Sequence, residues 1–139
     1  MKVMVCYDGS EAAHSALETA VDYFKAKKPE IILLTVTGEA LDASMENEEV
    51  FDQLEREQHD VLKKAAQWVS SQGLEVDAML AEGKPGPMIL EAINKKSPDV
   101  VVVARQTKSR FMQAFLGSVS AYLVRHASCH LLIMGPEEK

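Results

Sequence analysis

The chain has 139 residues, a formal net charge of -6 at pH 7, 47% hydrophobic and 26% charged residues, and two cysteines. That length suffices for one domain, residues 1–139, to bury a core of its own without metals or disulfides. The acidic balance and the lack of a long basic run argue against general nucleic-acid binding, and apolar runs this short fall far below the roughly 20 residues a membrane helix needs.

Residues 1–8 carry one Lys and reach Asp8 too soon for the apolar core of a signal peptide, so the cytoplasm is the expected location. Residues 3–7 are apolar throughout and form the first predicted strand, ended by Asp8, Gly9 and Ser10. Ser10 can cap a helix whose face is Ala13, Ala16, Leu17, Ala20, Val21 and Phe24, and which ends in the polar residues 25–28 before Pro29. Residues 31–36 are a second buried strand. An acidic connection, residues 38–47, has no clear periodicity. From about Glu48, the positions Phe51, Leu54, Val61, Leu62, Ala65, Trp68 and Val69 mark a long helix stopped by Gly73.

Leu74, Val76, Ala78 and Leu80 then alternate with Glu75, Asp77 and Met79, a pattern that suits a sheet edge better than its centre. Gly83, Lys84, Pro85, Gly86 and Pro87 read as a turn into a short helix around Ile89, Ala92 and Ile93, with Pro87 at its first position. Val100, Val101, Val102, Val103 and Ala104 are an unbroken apolar run, as expected of a central strand covered on both faces. A basic loop with Arg105, Lys108 and Arg110 follows. It meets Gly117 and Ser118 at the start of a helix with Val119, Tyr122, Leu123 and Ala127 on one face, and Ser118 can cap that helix, touch an anion at its amino end, or do both. Leu131, Leu132, Ile133 and Met134 form the last strand, and Cys6 and Cys129 read as small buried hydrophobes inside strands.

Strict alternation of five strands and four helices predicts an α/β fold: a five-stranded parallel sheet with helices on both faces. With the third strand at an edge, the simplest order is 3-2-1-4-5. Ligands in such sheets bind beyond the carboxyl ends of strands where the order reverses, which here brings Asp8 and the loop after the fourth strand together. The helix starting near Ser118 offers unpaired N–H groups and a positive dipole end to an anion. His126 and His130 straddle a helix end and a strand, so no metal site built by the protein is expected. No Gly-x-Ser-x-Gly elbow is present, and no obvious general base stands in the loop.

The segments Val5-Cys6-Tyr7-Asp8-Gly9-Ser10-Glu11, Leu34-Thr35-Val36, Glu82-Gly83-Lys84-Pro85 and Leu116-Gly117-Ser118-Val119-Ser120, in this order and spacing, resemble the universal stress protein family over essentially the whole chain. The resemblance implies a Rossmann-like fold of the adenine nucleotide alpha-hydrolase type and a regulatory protein that binds ATP or AMP. It would assign Asp8 to the ribose and Val36 to the adenine wall, with Gly117, Ser118 and Val119 at the phosphates and Ser120 beside them. Nucleotide-binding members carry a glycine, two residues, a second glycine, nine residues, then Gly with Ser or Thr. Here Ala104 and Thr107 stand at the first two glycine positions. A β-branched residue resists the positive φ that glycine adopts freely, so an altered or weakened phosphate cradle is expected, with Arg105, Lys108 and Arg110 available to meet a phosphate by side chain. The alternatives are an interaction module of the same family that binds no nucleotide, and a slow nucleotide hydrolase or transferase. A homodimer through Leu131, Leu132, Ile133 and Met134 is expected, because an apolar edge strand left uncovered invites aggregation. Neither nucleic acid nor membrane is an expected partner.

Overall fold

The computed structural model describes residues 1–37, 48–105 and 117–135. The connection at 38–47 and the loop at 106–116, with Thr107, Lys108 and Arg110, lie outside the described residues, as do the side chains of Phe51 and Leu54. In chain order the elements are β1 (Lys2–Cys6), α1 (Glu11–Phe24), β2 (Glu30–Thr37), α2 (Glu48–Ser71), β3 (Glu75–Glu82), α3 (Pro85–Lys96), β4 (Val100–Ala104), α4 (Ser118–His126) and β5 (His130–Met134), with a 3-10 turn at Lys25–Lys27. The five strands form one sheet in the order β3-β2-β1-β4-β5. Each pairing is parallel, with Val5 opposite Leu33 on one side and Val102 on the other.

Successive strand residues point to opposite faces, and this period of two divides the core into two layers. Val3, Val5, Ile31, Leu33, Val100 and Val102 pack under α1 and α2, against Leu17, Val21, Leu62 and Val69. Met4, Ile32, Leu34, Val101 and Val103 pack under α3 and α4, against Ile89, Ile93 and Leu123. The strands read as continuous apolar runs because both of their faces are covered. On the edge strand β3, Val76 and Leu80 join the first layer and Met79 and Ala81 the second, while Asp77 pairs with Lys96 of α3 at 2.8 Å. The expected edge position holds, but its second face is less polar than the alternation predicts.

Local chemistry sets the helix ends. Ser10 caps α1 by accepting from the Ala13 N–H at 3.1 Å. Gly73, at φ 80, follows α2 in the left-handed conformation that glycine adopts without strain. Two expected starts are corrected. The third helix begins at Pro85, not Pro87: Pro85 lacks an N–H and so suits the first position, where none is needed, and Met88 N–H donates to the Lys84 carbonyl to close the first turn. The cap of α4 is Gly117, at φ -62 and ψ 163, and Ser118 is already the first helical residue. Cys129 precedes β5 instead of lying inside it, and Tyr7 follows β1 while still donating its N–H to the Leu34 carbonyl at 2.8 Å.

Candidate functional site

The order reverses at the centre of the sheet: from β1 the chain crosses one way to β2 and β3 and later the other way to β4 and β5. Such a reversal leaves a crevice at the strands' carboxyl ends, because the helices following β1 and β4 lie on opposite faces. A cavity of about 320 Å³ occupies that place. Its walls are largely apolar, with Cys6, Leu34, Val36 and Val103 from the sheet and Pro85 and Ile89 from α3, and Asp8, Ser118 and Ser120 bring polar groups to it. A concave, mostly apolar pocket with a few converging polar groups is the usual form of a small-molecule site.

Asp8 stands in the turn after β1. Its Oδ1 accepts from the Ser10 N–H at 2.9 Å and from the Ser10 hydroxyl at 2.6 Å, so the carboxylate shapes the turn as well as lining the cavity. The same turn needs Gly9, whose φ is 81; a Cβ there would lie 2.7 Å from Val61 of α2. Just before it, buried Thr35 donates its hydroxyl to the Tyr7 carbonyl at 2.7 Å, fastening the end of β1 to β2. The placement of Asp8 therefore comes from three elements.

Across the cavity, Gly117, Ser118, Val119 and Ser120 bring the amino end of α4. Since its cap is a glycine, no side chain at the cap accepts the first N–H groups of the helix. The positive end of the dipole is thus presented to the cavity without an internal acceptor at that position. Ser120 is buried, only 4% exposed, yet lines the same space.

Of the residues singled out from sequence, the structure gathers Asp8, Val36, Ala104, Gly117, Ser118, Val119 and Ser120 around one cavity. Arg105 is not among the described residues that line it; its N–H donates to the Met134 carbonyl at 2.8 Å, extending the β4–β5 ladder, and its Nε is buried. Sequence reasoning missed Cys6, Tyr7, Ala13, Leu34, Pro85, Ile89 and Val103. Their signal was only that each sits near a strand end or a helix start. Two of them are titratable: burial pushes the Cys6 thiol up to about 12, with the Asp8 charge adding to the effect, and the same two causes raise Tyr7. Among the described residues, no group of three or more His, Cys, Asp or Glu is placed to hold a metal ion, and no helix is long and apolar enough to cross a membrane.

The model of the universal stress protein family matches residues 1–135. Universal stress protein YxiE of Bacillus subtilis is 26% identical, with 96% of this chain and 97% of that protein aligned. Among solved structures, universal stress protein UspA from Lactobacillus plantarum superposes with a TM-score of 0.78 at 22% identity, covering 96% of this chain and 97% of its own. A universal stress protein family protein from Arabidopsis thaliana, solved with AMP bound, superposes with a TM-score of 0.73 at 22% identity, covering 99% of this chain and 92% of its own. The fold of these structures is the fold found here, and the match of the family model along almost the whole sequence means that the chain belongs to the universal stress protein family.

Proposed function

We propose that this chain is a single-domain cytoplasmic regulator that binds an adenine nucleotide, AMP or ATP, in the cavity between β1 and β4. The observation that carries the reading is the joining, in one cavity, of apolar walls fit for a flat base and an amino-terminal helix end fit for a phosphate. In this reading Val36, Leu34 and Ile89 flank the base, Asp8 accepts from ribose hydroxyls, and Ser118, Val119 and Ser120 meet the phosphate through N–H groups and hydroxyls. The Arabidopsis relative holding AMP supports the choice of ligand class. In this reading the bound nucleotide acts as a signal.

Isothermal titration calorimetry and thermal melting with AMP and ATP test this. A ligand at 100 times its dissociation constant adds about 2.7 kcal/mol to stability, which raises the melting temperature measurably. A titration that gives no heat, together with an unshifted melting temperature at millimolar AMP and ATP, would overturn the reading. Ala104 and Thr107, in place of two glycines of the family's nucleotide pattern, favour the second reading, an interaction module that binds no nucleotide. That silent titration is its signature.

A further inference from the structure

We draw no further inference here: the strongest candidate, the half-buried Arg105 side chain at the carboxyl end of β4, whose Nε is buried without a hydrogen-bond partner among the described residues, is not among those lining the cavity and runs into residues 106–116, outside the described ones, so nothing in the structure shows what that guanidinium meets.

Discussion

Cys6 shows how a single residue's setting depends on the whole fold. In the sequence it reads as one more small apolar residue of a strand; in the structure it lies on the α3–α4 side of the sheet and lines the cavity. Burial and the nearby Asp8 raise its thiol from an ordinary 9.0 to about 12. The folded chain therefore keeps a proton that the unfolded chain releases near pH 9. Stability from this group is complete below that pH and falls as pH rises between about 9 and 12. Urea unfolding should show the protein about 1 kcal/mol less stable at pH 10 than at pH 8 on account of Cys6, and Cys6→Ala should make the fall shallower. Some slope should persist in the variant, because Tyr7 and Cys129 are raised in the same direction, mainly by burial. Equal slopes in the two proteins would mean that Cys6 is ionised as easily folded as unfolded. Asp8 was legible for a different reason: an acid followed by Gly9 and Ser10 at a strand end announces a turn, and the position of that turn at the reversal of strand order followed from the alternation of elements. Nothing in that stretch announced that Ser10 would donate twice to one Asp8 oxygen, since both bonds require the turn already folded.

Among the elements, α4 is where the expected chemistry and the observed chemistry diverge most usefully. Ser118 was the natural cap by residue type, but Gly117 holds the extended cap conformation and Ser118 begins the helix. The hydroxyl is thereby kept from capping and is available at the cavity. Gly117 has ordinary negative φ, and no atom of the described residues lies within 4 Å of where a Cβ would go, so a side chain there meets none of them. Gly117→Asp should leave stability unchanged or raise it by a few tenths of a kcal/mol, since aspartate is a good cap and favourable near a helix amino end. The same substitution should weaken AMP binding by about tenfold or more, because a carboxylate would occupy the N–H groups and repel the phosphate. Chemical denaturation and calorimetry on one preparation check both halves. Affinity unaltered by the aspartate would place the phosphate elsewhere. The start of α3 carries a related lesson: two prolines in its first turn made either a plausible beginning, and the choice of Pro85 brings Gly86 against the ring of Tyr122 on α4, where a Cβ would lie 2.8 Å from the ring. Tertiary packing of two helices, not the local turn signal, decided the register.

For the molecule as a whole, β5 raises the question of assembly. It is an edge strand, His130–Met134, with Leu131, Leu132, Ile133 and Met134 only partly covered in one chain. A second copy pairing along this edge would cover it, as proposed from sequence. Size-exclusion chromatography with light scattering should report a dimer at micromolar concentration for the wild type and a monomer for Ile133→Glu, with the circular dichroism of the two alike; a monomeric wild type would refute the pairing. By itself the sequence determined the kind and order of the described strands and long helices, because apolar runs bounded by turn residues and helical spacing of apolar side chains are local properties. It also determined the sheet order, because a polar third strand belongs at an edge and crossovers between parallel strands are constrained in hand. Only the tertiary structure decided which strand residues face which helices, and hence that Cys6, Leu34, Val36 and Val103 share a wall with Pro85 and Ile89 of a helix far along the chain. A shift of one residue in register sends each side chain to the opposite face of a sheet, and register is fixed by packing between segments distant in sequence.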